Sequence, residues 1–496
     1  MLAVFAGILM PFAFAPYDFS LLALLSLVLI MLCWSGISTR RAFARGWLYG
    51  LGMFGFGIYW VHISMNQFGG IGMPLSVFLT ALFIMFYALF PAFTGYLARR
   101  FADRGEHQIA REYLLIVPAV WVLFEWIRAF IFTGMPWLTI GYSQIDLPVS
   151  GFAPVFGVFG VSYAVVLSAG FITYWLLSDK GAGRNKAAII ALPALALLWL
   201  IPGLLKQVQW SDPVDDPIQV SLIQGNVPQD KKWLRSQRQP TLDLYTRLSR
   251  ENWSSDLIIW PETAIPVTYT KVLPFLKKIA QEARLNSSEL LVGLPVYNKR
   301  EDEYFNAMLS LGLKESFYEK KHLVPFGEFI PMKGMLGGLI DFFDIPMSDF
   351  TPGRQERPLL FVAGQNAGIS ICYEDAFGDE IAAAMPEAAF LINSSNDAWF
   401  GDSSAPHQHL QIARMRSLET ARYLVRSTNT GVSAIINEKG DIQSSSPQFQ
   451  THVLTDKIQP MNGMTPYVVF TNAPIVVIVV LVLGVAFWLG RRKPAK

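Results

Sequence analysis

The sequence has few cysteines and few charged residues. It contains two cysteines, Cys33 and Cys372, in 496 residues, which excludes a disulfide framework as a source of stability. Charged residues make up 16% of the chain, well below the roughly 25% of an ordinary soluble domain. Forty Lys and Arg nearly cancel 38 Asp and Glu. The overall charge therefore argues neither for nor against binding to nucleic acid.

Hydrophobic residues are abundant, at 52% of the chain, and they are concentrated in long runs. A helix needs about 20 apolar residues to cross a bilayer. Eight runs approach or reach that length, near 1–15, 20–36, 46–64, 74–98, 113–132, 154–177, 187–205 and 471–490. The first run lacks a basic leader and is followed at once by further runs, so it is interpreted as a span and not as a cleaved signal peptide. The sequence thus predicts a multi-pass α-helical membrane bundle of about eight spans.

Lys and Arg are absent from every second short connection between these runs. The connections at 16–19, 65–73 and 133–153 contain neither residue. The basic residues follow the even-numbered runs: Arg40, Arg41 and Arg45; Arg99, Arg100, Arg104 and Arg111; Lys180, Arg184 and Lys186; Arg491, Arg492, Lys493 and Lys496. Because basic loops resist translocation, both termini are predicted to be cytoplasmic and the long insert before the last run extracytoplasmic.

The composition changes abruptly near Gln207, after which the sequence is polar and rich in Pro and Gly as far as about Thr465. Three regions are predicted: a membrane domain of seven helices over 1–206, an extracytoplasmic domain over 207–465, and a final helix with a basic tail over 466–496. Within the central region short β-rich runs alternate with helical stretches, and this order favours an α/β sheet covered by helices on both faces.

Two charged residues, Glu125 and Arg128, fall inside a predicted span. Ionisable residues within a membrane are candidates for function. Their spacing of three also places them on one helix face, where they could form an internal ion pair that holds the bundle. The sequence leaves both interpretations open.

Cys372 directly follows a strand-like run, 367–371. A lone cysteine is more often a small buried hydrophobe than a catalyst. A free thiol outside the cytoplasm is, however, exposed to oxidation, so its presence at a strand end needs a reason. Cys372 is therefore a candidate nucleophile.

A thiol that attacks a carbonyl needs a base and a group that holds the oxyanion. Glu262 follows the apolar run 257–260 and Pro261, although it could equally cap a helix. Lys320 and Lys321 precede an apolar turn, although a lysine pair is usually a solvated charge cluster. His407 and His409 would suit a metal, but no further ligands lie nearby to complete a set. His409 is interpreted as a packing or hydrogen-bonding residue.

Taken in order, three segments resemble the Glu–Lys–Cys signature of the nitrilase superfamily. They are Trp260-Pro-Glu262, Lys320 before His322-Leu-Val-Pro-Phe-Gly-Glu328, and Ile371-Cys-Tyr-Glu374. Further segments narrow the resemblance to the apolipoprotein N-acyltransferase family: 14–17, 133–138, 141–146, 224–229 with Lys232 and Trp233, 393–401, 409–419 and 426–431. The resemblance covers nearly the whole chain and departs from the family in a short N-terminus.

The resemblance implies a nitrilase-like αββα sandwich and a role for each matching residue. Glu262 would be the general base, Cys372 the nucleophile, and Lys320 the cation that stabilises the tetrahedral intermediate. Supporting positions are also implied: Glu328 and Glu374 beside the triad, Tyr373 with a backbone N–H near the oxyanion, Asn306 in the pocket, and Trp233 and Trp137 near the lipid entrance. Both tryptophans could equally be interfacial belt residues.

The same resemblance implies a reaction and its partners. An acyl chain would pass from a phospholipid to Cys372 as a thioester, and then to the α-amino group of a lipoprotein diacylglyceryl-cysteine. The enzyme would be a monomer of the bacterial inner membrane with a periplasmic catalytic domain, and it would need no cofactor, metal or nucleic acid. The leading alternative is a membrane-tethered amidase or nitrilase acting on a small soluble substrate. A transporter or receptor with an inactive outer domain is a further one.

Overall fold

The computed structural model describes residues 1–102, 108–179, 181–312, 315–329 and 349–491. The chain forms two compact units. The helical unit comprises Met1–Tyr59, Val77–Val208 and Val469–Lys496, and the sheet unit comprises Trp60–Ser76 and Gln209–Val468. Several basic residues used to predict orientation lie outside the described residues: Arg104, Lys180, Arg492, Lys493 and Lys496.

The helices are numbered in chain order. They are α1 (Leu2–Leu9), α2 (Leu21–Trp34), α3 (Thr39–Gly57), α4 (Val61–Ile63), α5 (Met73–Tyr87), α6 (Leu89–Phe101), α7 (Gln108–Ala110), α8 (Val117–Arg128), α9 (Ala153–Leu177), α10 (Ala182–Leu205), α11 (Gln229–Lys232), α12 (Arg235–Arg250), α13 (Tyr269–Leu285), α14 (Gly378–Ala382), α15 (Ala405–Thr420), α16 (Pro466–Phe470) and α17 (Ala473–Arg491). Short 3-10 and π-helical turns connect several of them.

The strands are numbered in the same way. They are β1 (Ser211–Pro213), β2 (Ile218–Gln224), β3 (Leu257–Trp260), β4 (Glu289–Asn298), β5 (Glu303–Ser310), β6 (Ser316–Glu319), β7 (Leu359–Val362), β8 (Gln365–Ile371), β9 (Phe390–Ser395), β10 (Leu424–Thr428), β11 (Ala434–Ile436), β12 (Ile442–Ser445), β13 (His452–Ile458) and β14 (Met461–Gly463).

Among the described residues, four helical segments are long and apolar enough to cross a membrane: Met73–Phe101, Pro148–Leu177, Gly183–Leu205 and Ala473–Gly490. They coincide with the predicted spans at 74–98, 154–177, 187–205 and 471–490. Two shorter apolar helices, Leu2–Ala13 and Leu21–Trp34, occupy the positions of the first two predicted spans. Helices long and apolar enough to span a membrane are thus present, whereas a total of eight spans stays a prediction.

The third predicted span, at 46–64, differs from the helix found there. Helix α3 begins at Thr39, ends at Gly57 and is followed by a separate short helix that belongs to the sheet unit. Small residues bring α3 close to its neighbours: a Cβ on Gly46 would lie 2.4 Å from the carbonyl oxygen of Pro91, and one on Gly50 would lie 2.5 Å from Cα of Ala88. In an apolar environment the hydrophobic effect does not hold helices together, and they pack through close backbone contacts at small residues.

Glu125 and Arg128 hold the backbone of the segment that follows α8. Glu125 Oε1 accepts hydrogen bonds from the backbone N–H of Ile140 at 3.0 Å and from the indole of Trp121 at 3.1 Å. Arg128 donates to the carbonyl of Trp137 at 2.6 Å. These contacts give both buried side chains a structural role. An unpaired charge in an apolar bundle would cost free energy, and the hydrogen bonds offset that cost.

The sheet unit contains two six-stranded sheets. One has the strand order β13-β2-β3-β4-β5-β6, and the other has the order β12-β11-β10-β9-β8-β7. In each sheet three central strands are parallel, β2-β3-β4 and β8-β9-β10. Strands β1 and β14 form a separate antiparallel pair. Carboxyl ends of parallel strands meet at one edge of a sheet, which is where α/β folds place their ligands.

The two sheets pack face to face, and helices cover their outer faces. The core between the sheets joins residues such as Leu222 and Ile259 of the first sheet to Ile369 and Ile392 of the second. Helices α12 and α13 pack on the outer face of the first sheet, and α14 and α15 on that of the second. This arrangement confirms the predicted αββα sandwich. Because the central strands are buried on both faces, they read as continuous apolar runs.

Candidate active site

Glu262 lies in the turn that follows β3. Pro261 ends the strand, since it has no N–H to donate to the sheet, and Glu262 is 7% exposed. Its Oε1 accepts a hydrogen bond of 2.7 Å from the side-chain amide of Asn306 on β5. Its Oε2 is buried and accepts no hydrogen bond from any residue that the structure describes. That second oxygen is therefore available to take a proton.

Lys320 directly follows β6 and is buried, with 1% of its surface exposed. Its Nζ lies 2.8 Å from Glu328 Oε2 and 3.8 Å from Glu262 Oε1. Asn306 also donates to Glu328 at 3.1 Å, so one amide links the two carboxylates. Burial lowers the pKa of Lys320, but Glu328 and Glu262 raise it by more, and its net pKa lies above the usual value. The ammonium therefore stays charged in the site.

Cys372 follows β8 and begins a 3-10 turn, Cys372–Ala376. Its φ of +53° lies in the left-handed region, which a residue with a Cβ seldom adopts. Burial raises the pKa of the thiol, Glu262 raises it further, and Lys320 lowers it, with a net rise. A thiol with a raised pKa is protonated at neutral pH. It therefore needs a base as it attacks a carbonyl.

The Glu262 carboxyl has the electrostatic character of such a base. Burial raises its pKa, Lys320 lowers it and Glu328 raises it, and the net pKa lies above the ordinary value. A carboxylate is a better proton acceptor when its pKa is raised towards neutrality. Glu262, Lys320 and Cys372, the three residues of the predicted triad, influence one another's pKa.

Glu374 links the segment that contains Lys320 to the turn that contains Cys372 through hydrogen bonds. Its Oε1 accepts hydrogen bonds from the backbone N–H groups of Lys321 and His322, at 2.7 and 3.0 Å, and from the Tyr318 hydroxyl at 2.9 Å. Its Oε2 accepts from the N–H of Ile371 at 2.7 Å. Burial raises the pKa of Glu374 to about 7, against the lowering effect of Lys320 and these N–H groups. This carboxyl positions residues of the site.

The remaining predicted residues lie in different surroundings. Tyr373 is half-buried, and its ring contacts Phe377 edge to face at 5.1 Å. Trp233, at the end of α11, is 39% exposed in the sheet unit. Trp137 is 1% exposed within the helical unit. Asn306 and Glu328 are the supporting residues that contact Glu262 or Lys320 directly.

Sequence reasoning missed a group of buried ions next to Cys372, made up of Asp375, Asp397, His409 and Arg426 and called here the ion cluster. His409 was interpreted as a packing or hydrogen-bonding residue, and its hydrogen bonds confirm this. Arg426 gave a usable signal, since it interrupts the buried strand Leu-Val-Arg-Ser-Thr. A charge there requires buried partners.

Lys232 was also missed as a member of the site. It is 2% exposed, and its Nζ donates to the carbonyl oxygen of Glu262 at 3.2 Å. Burial lowers its pKa to about 8, against the opposing effect of Glu262. The one signal in the sequence is that Lys232, unlike the exposed Lys231 beside it, is among the positions that carry the family resemblance.

Two family models match the chain. The apolipoprotein N-acyltransferase N-terminal domain matches residues 6–171, and the carbon-nitrogen hydrolase domain matches residues 219–464. An apolipoprotein N-acyltransferase of Methylococcus capsulatus is 45% identical over 495 residues, covering 99% of this chain and 96% of that protein. One of Nitrosomonas europaea is 40% identical over 503 residues, covering 99% and 98%. Among solved structures, an amidase from a Nesterenkonia species aligns with a TM-score of 0.37 at 16% identity, covering 53% of this chain and 97% of that one.

Proposed function

The chain belongs to the apolipoprotein N-acyltransferase family, and we propose that it transfers a fatty acyl chain from a phospholipid to the α-amino group of a lipoprotein diacylglyceryl-cysteine. The observation that carries this mechanism is that Glu262 and Lys320 lie 3.8 Å apart, are buried, and both shift the pKa of the Cys372 thiol. A base, a cation and a thiol together are what acyl transfer through a thioester requires.

In the first half-reaction, the Cys372 sulfur attacks the carbonyl carbon of the phospholipid ester while Glu262 takes the thiol proton. The carbonyl oxygen becomes an oxyanion, which the Lys320 ammonium and the backbone N–H of Tyr373 stabilise. The intermediate then expels the alkoxide, and Glu262 returns the proton to it. The products are a thioester on Cys372 and a lysophospholipid.

In the second half-reaction, the neutral α-amino group of the acceptor attacks the thioester carbonyl. Glu262 takes a proton from the nitrogen, and the Cys372 thiolate leaves and is reprotonated by Glu262. The product is an amide on the lipoprotein. An amine attacks a thioester readily while the amide is stable, so the exchange proceeds in this direction.

Glu328 and Asn306 keep Lys320 and Glu262 in place for both steps. Glu328 accepts hydrogen bonds from Lys320 at 3.0 Å and from the N–H of Val324 at 2.8 Å. The paired charge keeps Lys320 protonated while one of its N–H groups can still face the substrate oxyanion. Preorganised charges of this kind usually contribute the largest share of catalysis in acyl transfer.

The location and partners follow from the same proposal. The enzyme acts in the bacterial inner membrane, with the catalytic unit on the periplasmic side and both termini in the cytoplasm. Span-length helices and the alternation of basic connections support this placement. The chain works as a monomer on two lipid-anchored partners, the phospholipid donor and the diacylglyceryl-lipoprotein acceptor, without a cofactor.

The test is the mass of the peptide that contains Cys372 after incubation of the purified protein with phosphatidylethanolamine in detergent. A fatty-acyl increment is expected that hydroxylamine removes and that a diacylglyceryl lipopeptide discharges. The Cys33→Ala variant should behave like the parent, and Cys372→Ala should show no increment. An unmodified Cys372, or release of acyl chains to water without an acceptor, would favour the membrane-tethered hydrolase.

A further inference from the structure

The ion cluster lies directly beside the nucleophile. Its four side chains, from Asp375, Asp397, His409 and Arg426, are each at most 1% exposed. Arg426 contacts both carboxylates, at 3.1 Å to Asp375 and 3.0 Å to Asp397. They come from the turn after β8, the turn after β9, helix α15 and strand β10. The fold thus gathers four ions from four elements at one buried point.

The contacts of His409 favour a ring that carries two protons. Its Nε2 lies 2.8 Å from Asp375 Oδ1, and its Nδ1 lies 3.0 Å from Asp397 Oδ1. A neutral imidazole has one N–H and cannot donate to both carboxylates. Burial and Arg426 lower the pKa of His409, whereas Asp375 and Asp397 raise it, and the net pKa is raised. With an imidazolium, two positive and two negative charges balance, which a buried cluster requires.

The ion cluster reaches the nucleophile through the carbonyl oxygen of Cys372. The Nε2–H of His409 is shared between Asp375 Oδ1 at 2.8 Å and that carbonyl oxygen at 3.2 Å, and the side-chain amide of Asn393 donates to the same oxygen at 3.2 Å. Asn393 is oriented for this contact, because its Oδ1 accepts a hydrogen bond from Arg426. His409, a member of the ion cluster, and Asn393, which the cluster orients, therefore both contact the carbonyl oxygen of Cys372.

That peptide group belongs to a residue of the site with a strained backbone. Cys372 has a φ of +53°, a conformation that is unfavourable for a residue with a Cβ. Such a conformation persists only where the surroundings enforce it, and it tends to occur where function needs it. The two hydrogen bonds on the Cys372 carbonyl supply such enforcement.

We infer that His409, as an imidazolium balanced by Asp375 and Asp397, is a positioning residue that acts together with Asn393. The two side chains fix the carbonyl of Cys372 and so hold the backbone that presents the thiol to Glu262 and to the acyl donor. Neither side chain takes part in proton transfer. The inference rests on the proposed function for the identity of the acyl donor. The contacts of His409 and Asn393 with the Cys372 carbonyl do not depend on that proposal.

The test measures acylation of Cys372 by two donors, phosphatidylethanolamine and p-nitrophenyl butyrate, and the thermal midpoint of each variant. His409→Gln should slow acylation by both donors by the same factor, about 100-fold, since a small misplacement of a reacting group costs about that much. The KM for the short ester should be unchanged. The variant should also unfold at a lower temperature, because it leaves one buried negative charge unbalanced.

A double variant, His409→Gln with Asp397→Asn, separates positioning from charge balance. It restores neutrality, so its thermal midpoint should recover, whereas its acylation rate should stay low. Recovery of the rate together with the midpoint would overturn the inference, and so would a parental rate in His409→Gln alone.

Asn393→Ala tests the same carbonyl without a change of charge, and it remains informative if the His409 variants do not fold. It should slow acylation at least about 10-fold with little change in KM; a parental rate contradicts the inference. If the parent protein reacts with the short ester but not with phosphatidylethanolamine, the proposed function fails while the positioning test still stands.

Discussion

Glu262 is the residue on which both proposed half-reactions depend. It is buried, its Oε1 is occupied by Asn306, and its Oε2 accepts no hydrogen bond from the described residues. Replacement by glutamine keeps the size and the acceptor for Asn306, but removes the ability to take a proton.

Glu262→Gln should therefore lower the rate of Cys372 acylation by about 10²- to 10⁴-fold, the usual contribution of a general base. The measurement is the burst of p-nitrophenolate from p-nitrophenyl butyrate, with the thermal midpoint as a check on folding. Glu251→Gln is the matched control, since Glu251 is exposed on the surface of the same unit. A parental burst rate in Glu262→Gln would remove Glu262 from the mechanism.

Lys232 gives a prediction about stability and pH. Its pKa is about 8 in the folded protein and 10.5 when it is unperturbed, because burial disfavours the ammonium. Between these two values the unfolded chain binds more protons than the folded one, so the free energy of unfolding rises with pH. Below pH 8 the folded protein carries the full cost of the buried charge.

Lys232→Met should raise the thermal midpoint at pH 7, and the gain should shrink as the pH approaches 10.5. The difference in free energy of unfolding between the two ends of this window is on the order of 3 kcal/mol for 2.5 pKa units. The measurement is thermal unfolding in detergent from pH 7 to 10. Lys231→Met, at the neighbouring exposed lysine, should show no such pH dependence; an equal gain at all pH values in Lys232→Met would contradict the assignment.

At the scale of elements, strand β4 packs closely against the turn that contains Glu262. A Cβ on Gly293 would lie 2.3 Å from the carbonyl oxygen of Pro261 and 2.8 Å from Cα of Glu262. These neighbours are backbone atoms, which cannot move aside as the end of a side chain can. Gly293 thus allows the strand and the catalytic turn to pack closely.

Gly293→Ala should displace Glu262 and lower the rate of Cys372 acylation by about 100-fold. Acylation by p-nitrophenyl butyrate is measured beside that of Gly72→Ala, because a Cβ on Gly72 meets nothing within 4 Å. Equal rates in the two variants would show that the turn tolerates the displacement.

The segment 60–76 shows how elements far apart in sequence assemble. Ser64 donates to the carbonyl of Trp399 at 2.7 Å, and Trp60 packs edge to face on Phe400 with ring centroids 4.8 Å apart. The turn that these residues hold carries Asp397 of the ion cluster. A segment between two apolar runs thereby contributes to the frame of the active site.

At the scale of the whole molecule, the proposed function requires two lipid-anchored substrates to reach one thiol. Trp233 is 39% exposed at the end of α11, beside the buried Lys232, and its position near a lipid entrance is a prediction. Trp137 is buried in the helical unit, so a charge there is expected to destabilise the fold.

Trp233→Glu should lower kcat/KM for phosphatidylethanolamine by about tenfold, since a charge opposes burial of an acyl chain, and should leave p-nitrophenyl butyrate turnover unchanged. Leu285→Glu is the control, because Leu285 is 79% exposed in the same unit. Equal losses with both donors would refute a role for Trp233 in lipid access.

The proposed orientation is tested by the accessibility of single cysteines in a Cys33→Ala, Cys372→Ala background. Leu285→Cys should react with a membrane-impermeant maleimide in intact spheroplasts, whereas Arg41→Cys should react only after lysis. The physical reason is that basic connections such as 40–45 resist translocation. The reverse pattern would place the sheet unit in the cytoplasm.

The sequence by itself determined the class of the chain and predicted which residues are candidates for the reaction. Apolar runs long enough to cross a bilayer, buried strands with no polar alternation, and the short motifs that contain Glu262, Lys320 and Cys372 are local features. Such features can be predicted from a sequence, because the length of an apolar run and the burial of a strand are properties of contiguous residues. The helix found at the predicted span 46–64 begins at Thr39 and ends at Gly57.

Only the tertiary structure decided which charges surround the nucleophile. Asp375, Asp397, His409 and Arg426 stand on four different elements, and all except Arg426, which interrupts a buried strand, resemble ordinary polar residues in their own segments. Their balance of charge and their contacts with the Cys372 carbonyl arise when β8, β9, β10 and α15 converge. Interactions between residues far apart in the chain depend on how close the fold brings them, and a single sequence does not give that separation.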